Sequence, residues 1–434
     1  MNFSQSTVFS IVSSFGLLFI NLFISVIEAR VLGPQEIGRY HVYITTQTYV
    51  STLCALGIGQ SCIFFINKLG ISERRVLATS VNASLILALV AGIVMFGAIQ
   101  INHDYFGNDS VLYVSLFCIG SSAMLLNNIF TPVLLTKMEV VRNQIVKYST
   151  RTITLLVIGA IIIWGRRFDV GFLIGLTGVT NVIAMMLLYY YYHNRFSFKD
   201  GIDKPLLGRI TIWGIKLSGN NIASVTLSSL PIYFLTWFSS GNGLTNVGYY
   251  SRANSLLVVG TVIASSIGPL LYSKWSGASD IEIKEQVRRF SFLYLVINAL
   301  IAFGLLLAAP LLIKLLYGAE FYSATPILQL LAFSLLGNGI KEICYGVLSS
   351  RGYPLKILKN LCIGIVFTAI ADFLVIPFLG AVGCSIVTLL ATSFTAILLM
   401  KEAEKVSLIK FEDFFVVPSR NSLKYVLSQI IHKS

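Results

Sequence analysis

Lys216, Asn220 and Ser224 recur at four-residue intervals inside an otherwise apolar stretch, and Asn221 and Ser228 widen the polar stripe. A spacing of four puts the three side chains on one face of a helix. A lipid-facing surface would not carry that stripe, so it either lines a water-filled cavity or bonds a neighbouring helix. Arg252, the adjacent Lys341 and Glu342, and Asp372 also place charge in apolar surroundings. A charge inside a membrane span is expensive, which makes each a candidate for function. Lys216, Arg252 and Lys341 are the candidates for holding an anion, with Asn220 and Ser224 beside them. Asp372, shortly before Ile376-Pro377, is either a proton or sodium site or a capped polar residue near an interface. Glu342 either neutralises Lys341 or pairs with another helix, since adjacent helical side chains diverge by about 100°. Glu28 and Arg30, with Arg39 and His41, surround a turn, where they form a gate salt bridge or simply meet water. Arg151 either stands at a cavity mouth or snorkels to headgroups. Asp372, Glu342, Glu28, Arg30 and Arg151 are therefore the candidates for coupling or gating.

The elements that carry these residues follow from the background they interrupt. The chain is 56% hydrophobic and 12% charged, with mean hydropathy +0.80, too apolar for a soluble globular domain. A helix needs roughly 20 apolar residues to cross a bilayer core of about 30 Å. Such stretches fall near 8–30, 41–66, 77–100, 111–135, 148–165, 170–192, 210–237, 247–273, 290–313, 325–348, 357–378 and 380–400. Because open sheet edges cannot face lipid, the expectation is an all-α integral membrane protein with twelve transmembrane helices. The first stretch lacks a basic leader and a small-residue cleavage site before Glu28, so it reads as a retained helix.

A net charge of +13 raises the question of nucleic acid, but its distribution answers otherwise. With the N-terminus inside, the even-numbered loops hold eighteen Lys and Arg, among them Lys68, Arg74, Arg75, Lys137, Lys199 and Arg288, against five in the odd-numbered loops. That bias is the positive-inside pattern; it predicts both termini in the cytoplasm and no nucleic-acid partner. Trp164, Trp213, Trp237 and Trp275 fall at predicted helix ends, and Tyr189 to Tyr192 sit where the sixth span ends, as an interfacial aromatic belt would. The six cysteines all lie within spans at no ligand-like spacing, so packing is their expected role.

Ile37-Gly38-Arg39-Tyr40 and Val247-Gly248-Tyr249-Tyr250 each open an inbound span, and Ile58-Gly59 and Ile267-Gly268 follow about twenty residues later. The match predicts a parallel repeat of two six-helix lobes: residues 1–196, a cytoplasmic linker 197–209, and residues 210–400. Residues 401–434 are a mixed-charge cytoplasmic tail with Phe411, Phe414 and Phe415, either a helix on the inner leaflet or a frayed end. There is no HExxH, GxxxxGK[ST] or GxSxG pattern, so a transporter rather than an enzyme is expected, with no metal and no cofactor.

Three segments resemble the bacterial O-antigen flippases, in the polysaccharide-export branch of the multidrug/oligosaccharidyl-lipid/polysaccharide (MOP) superfamily. Arg30-Val31-Leu32-Gly33-Pro34 through Gly38 and Tyr40 is similar to that family's R-x-LGP-x-x-x-G-x-Y turn. Leu316-Tyr317-Gly318 with Phe321, Ala324 and Leu328 looks like its LYG-x-x-F-x-x-A-x-x-x-L signature. Ile376-Pro377-Phe378-Leu379-Gly380 with Gly383 is similar to its IP-x-x-G-x-x-G turn. The resemblance implies lobes forming a V around a central cavity exposed alternately to either side. It implies an undecaprenyl-pyrophosphate-linked oligosaccharide moved from the inner to the outer leaflet of the bacterial cytoplasmic membrane, with membrane lipids and the pathway's polymerase and chain-length proteins as partners. A basic residue in the eighth helix recurs in such flippases, and Arg252 occupies a similar place; Asp372 departs from the asparagine common near its position. The competing expectations are a multidrug cation-coupled antiporter, which should carry acidic residues in its cavity, an exporter of another lipid-linked unit such as capsule or exopolysaccharide, and a membrane polymerase, which needs a long external loop.

Overall fold

The computed structural model describes residues 3–67, 69–101, 106, 110–136, 140–193, 195, 200–239, 241–275 and 278–416; over 3–12, 133–136, 140, 259 and 262–274 the description is of the backbone alone. Lys68, Lys137, Lys199 and the last part of the tail lie outside it. The helices are α1 (Phe3–Cys54), α2 (Ile58–Asn67), α3 (Glu73–Ile101), α4 (Val111–Thr136), α5 (Val140–Ile163), α6 (Val170–Tyr192), α7 (Lys204–Phe238), α8 (Gly243–Trp275), α9 (Asp280–Leu316), α10 (Ala324–Ser350) and α11 (Pro354–Val406), with 3-10 turns at Ala319–Phe321 and Phe411–Phe414. No strand occurs among the described residues. Eight helices there are long and apolar enough to cross a membrane.

Two of the helices are far longer than a bilayer needs. At 1.5 Å per residue, the 52 residues of α1 and the 53 of α11 would each extend roughly 80 Å if straight. Each is instead broken at one glycine, Gly33 (φ 75°) and Gly380 (φ 52°). A side chain in that left-handed region costs about 1–2 kcal/mol, which is why glycine stands at both breaks. The arms of α11 fold back on each other: Gly364 packs on Thr395, and the rings of Phe367 and Phe394 are 4.7 Å apart. Thus the eleventh and twelfth predicted spans meet in a hairpin at the glycine of the IP-x-x-G segment.

The second predicted span is interrupted. Residues 55–57 form a turn, with Leu56 at φ 47° and Gly57 at φ 66°, before α2 resumes. The break lies where α7 crosses: a Cβ on Gly57 would sit 2.2 Å from the Gly214 carbonyl oxygen, and one on Gly214 would sit 2.3 Å from that of Leu56. Backbone lies on backbone there, which only small residues permit.

The chain forms two compact units, Met1–Ser229 and Leu230–Ser434, and the division falls inside α7 rather than in the predicted linker 197–209. The reason lies in what the first half of α7 touches. Ser61 donates to the Ile210 carbonyl at 2.9 Å, Trp213 stacks on Phe64 at 4.5 Å, and Leu206 and Ile210 join a core with Phe65, Leu125 and Leu188. The linker itself is clamped to the start of α3 by Arg74–Asp200 (2.7 Å) and Arg75–Asp203. In the same unit, α4 and α6 touch through Gly120 and Gly178. In the second unit α10 is the centre, packing Gly337 on Thr392, Gly339 on Tyr294 and Gly346 on Trp275.

Each unit holds a tyrosine–threonine hydrogen bond at the same residue of the two matched tetrapeptides. Tyr40 and Thr177 hydroxyls meet at 2.9 Å, 137 residues apart; Tyr250 and Thr388 meet at 3.1 Å, 138 residues apart. Tyr40 and Tyr250 are the last residues of the two matched tetrapeptides.

Candidate functional site

The stripe on α7 belongs to the first unit. Lys216 is exposed with its ammonium 5.9 Å from the Trp213 ring centroid, two residues beyond the crossing at Gly214. One turn on, Asn220 is half-buried, and its Oδ1 is enclosed with no hydrogen-bond partner among the described residues. Ser224 is half-buried and Asn221 exposed, while the Ser228 hydroxyl donates to the Val225 carbonyl at 3.0 Å. A cation held by an aromatic face, followed by an uncommitted amide oxygen and a hydroxyl, can meet an anion and neutral hydroxyls in sequence.

Arg252, in the second unit, is 2% exposed, and its guanidinium lies 6.0 Å from the Tyr317 ring centroid. Tyr317 caps the end of α9, so Arg252 sits level with one end of that unit. Lys341 and Glu342 are half-buried on α10, nine and eight residues before its last residue Ser350. At 1.5 Å per residue that is roughly 13 Å in from the opposite end. The two cations of this unit therefore stand at different depths, and Lys341 and Glu342 act on each other electrostatically.

Asp372 is completely enclosed, at 0% exposure, and neither carboxylate oxygen has a hydrogen-bond partner among the described residues. Around it are Tyr250 and Cys384, both within electrostatic reach, and the Thr388 hydroxyl on Tyr250. Cys384 faces the Pro231 carbonyl at 4.0 Å. A buried carboxylate without donors is costly, and Tyr250, Cys384 and Thr388 offer it neutral oxygen and sulfur groups. That surrounding suits a proton or a small cation. An interfacial, capped Asp372 was the alternative, and its complete burial disfavours it.

The remaining candidates spread out. Glu28 is buried and Arg30 exposed on the first arm of α1, and both make further contacts; Arg39 pairs with Glu36 at 3.1 Å. Arg151 is exposed but stands well inside α5, because that helix begins at Val140 rather than near residue 148. The aromatic expectation needs two corrections. Trp213 lies inside α7, which starts at Lys204, and Trp275, although it is the last residue of α8, is 0% exposed and donates to Gln286 Oε1 at 3.0 Å, so it packs inside the protein instead of facing lipid.

A polar cluster in the first unit escaped sequence reasoning. Gln47, 2% exposed, donates to Ser121 Oγ at 3.0 Å, and Asn181 donates to Gln47 Oε1 at 3.5 Å. Asn127 donates to the Asn181 carbonyl at 3.3 Å. Uncharged amides scattered over three helices give no spacing signal; only the fold assembles them.

Apolar helices with breaks at two glycines, and charges enclosed within them, define a multi-pass α-helical membrane protein. Residues 4–271 match the family described as polysaccharide biosynthesis protein, and the chain belongs to that family. It is 24% identical over 189 residues to an uncharacterized membrane protein of Methanocaldococcus jannaschii, an alignment that spans 43% of this chain and 37% of that protein. Its fold is that of solved transporters. An inward-facing multidrug resistance MATE transporter of the MOP superfamily aligns with TM-score 0.72 at 16% identity, over 90% of this chain and 94% of that one. The lipid II flippase MurJ in an inward closed conformation aligns with TM-score 0.71 at 15% identity, over 98% and 92%. A MOP superfamily transporter from Pyrococcus furiosus, described as having a binding pocket of reverse polarity, aligns with TM-score 0.69 at 15% identity, over 93% and 95%.

Proposed function

We propose that this protein is a flippase that carries an undecaprenyl-pyrophosphate-linked oligosaccharide, of the O-antigen type, from the inner to the outer leaflet of a bacterial cytoplasmic membrane, with both termini in the cytoplasm. The reading takes two crossings each from α1 and α11 and one from each of α3 to α10, with α2 completing the second. The observation that carries the reading is a cation, Arg252, enclosed at 2% exposure in a member of a polysaccharide biosynthesis family. A pyrophosphate crossing the membrane must shed water, and fixed cations offset that cost when they are already positioned. Lys216, Arg252 and Lys341 supply them, while Asn220 and Ser224 meet neutral hydroxyls. With the cytoplasm negative, outward movement of negative charge gains about 2.3 kcal/mol per charge per 100 mV.

Asp372 is the coupling residue in this reading: occupied by a proton or sodium it is neutralised, and emptied it is a buried charge that biases the second unit toward another conformation. Glu342, Glu28, Arg30 and Arg151 are subsidiary gating groups. Asp372 is also what favours a second reading, a cation-coupled drug antiporter, because an enclosed carboxylate suits a cationic cargo. The two part in one experiment: purified protein in vesicles loaded with a fluorescent polyprenyl-pyrophosphate oligosaccharide. Dithionite access to the label rises with time for a flippase, and in Lys216→Ala and Arg252→Ala the rise is slowed; an antiporter leaves access flat and takes up a cationic dye instead.

A further inference from the structure

The segment after α11 does not trail away. The Ser407 hydroxyl donates to the Ala403 carbonyl at 2.6 Å, and the chain then turns through Phe411–Phe414 onto the start of α9. Asp413, 2% exposed, receives Arg288 Nε at 2.7 Å and the Lys410 backbone N–H at 2.7 Å, with Lys284 Nζ at 3.4 Å. Phe414 and Ile409 are enclosed with it, at 0% and 1%. Burial opposes the charge on Asp413, but the Lys410 N–H, Arg288 and Lys284 outweigh it and hold the carboxyl below its usual range.

The opposite side of this segment is apolar and open. Leu408 is 56% exposed, Phe411 37%, Phe415 48% and Val416 36%, and the rings of Phe411 and Phe415 stand 5.5 Å apart. The level at which the segment is held decides what covers it. Its anchors are Lys284 and Arg288 on α9, whose uncharged, largely apolar run begins at Phe290. Two to six residues of helix are about 3–9 Å, which is the depth of the headgroup layer beside a hydrocarbon core of about 30 Å. Lys401, Lys405 and Lys410 are exposed along the same stretch, with Glu404 and Glu412 among them. Exposed apolar side chains at headgroup depth, with exposed lysines beside them, are the arrangement of an interfacial anchor.

We infer that residues 407–416 are a membrane-surface anchor: Asp413 and Phe414 fasten them to α9, and Leu408, Phe411, Phe415 and Val416 enter the adjoining leaflet between its phosphates and acyl chains. The occupant of the exposed face is lipid, so a 3-10 turn does here what a longer amphipathic helix does elsewhere. The anchor fixes the start of α9 and the second arm of α11 to one depth in the membrane, whatever the protein transports.

The test is tryptophan depth measurement on the full-length protein in vesicles of phosphatidylethanolamine and phosphatidylglycerol. Phe415→Trp and Leu408→Trp are compared with wild type, whose four native tryptophans supply the background. The added emission is expected to be strongly quenched by lipids brominated at shallow acyl positions, less by lipids brominated near the chain ends, and little by aqueous acrylamide. Emission quenched by acrylamide and not by bromolipid would overturn the inference by leaving the face in water. Emission shielded from both would overturn it by covering the face with protein, whether residues 417–434 or a second chain. Leu408 is the more exposed site, so its variant carries the test should Phe415→Trp fail to fold.

Discussion

Asp372→Asn separates function from stability. The amide matches the carboxylate in shape, so packing around Cys384 and Tyr250 is preserved, but the charge is gone. In the native protein both oxygens are enclosed without hydrogen-bond partners among the described residues, and an unsatisfied buried group costs about 1–3 kcal/mol, more when ionised. Thr388 and Tyr250 already bond each other, so the amide gains no partner from them and the stabilisation comes from the loss of the charge. For a unit of about 200 residues, 1 kcal/mol moves a melting temperature by roughly 2–4 °C. Asp372→Asn is therefore expected to melt about 2–12 °C above wild type at pH 7 while losing most flipping activity. Thermal scanning of intrinsic fluorescence in detergent reads the first, with Trp237 and Trp275 reporting on the second unit; the vesicle dithionite assay reads the second. A variant that melts lower and still flips would mean that Asp372 holds the helices together, and the coupling assignment would be withdrawn.

Gly57→Ala and Gly70→Ala test the break in the second span. Both positions have positive φ, but only Gly57 has backbone against it; Gly70→Ala should cost about the 1–2 kcal/mol of its conformation, while Gly57→Ala should lose folded protein in size-exclusion yield. Tyr40→Phe and Tyr250→Phe each remove one matched hydrogen bond, and each should lower stability by about 0.5–1.5 kcal/mol in thermal scans; one large and one negligible loss would contradict a structural repeat. Asp413→Asn should melt lower than wild type by a gap that is flat from about pH 5 to 8. Because the folded carboxyl lies below its unfolded value of about 3.9, the ion pairs stabilise above that value and are lost only as pH falls through the lower folded one. A gap that closes near pH 6 would show another group at work.

Hydropathy made the helices legible because a bilayer leaves a chain few alternatives, and the turn glycines were legible because Gly33 and Gly380 stand in short, distinctive segments. The break at Leu56–Gly57 was not, since an apolar run carries no mark of the helix that will cross it; the crossing partner Gly214 lies far along the chain. The start of α7 at Lys204 was missed for a related reason: Leu206 and Ile210 look like linker until the first unit is seen to enclose them. Among the site residues, type and spacing singled out Lys216, Arg252 and Asp372 as interruptions of the apolar background. They could not give burial, which separates the exposed Lys216 from the enclosed Arg252 and Asp372. Nor could they find Gln47, Ser121, Asn127 and Asn181, neutral residues brought together only by packing.

The most direct measurement is the sidedness of the lipid-linked glycan in native membranes that lack this protein, complemented with wild type, Lys216→Ala or Arg252→Ala. Accumulation on the inner leaflet, relieved by wild type and not by either variant, is the result expected of a flippase with a cationic path. Glycan reaching the outer leaflet normally without the protein would contradict it.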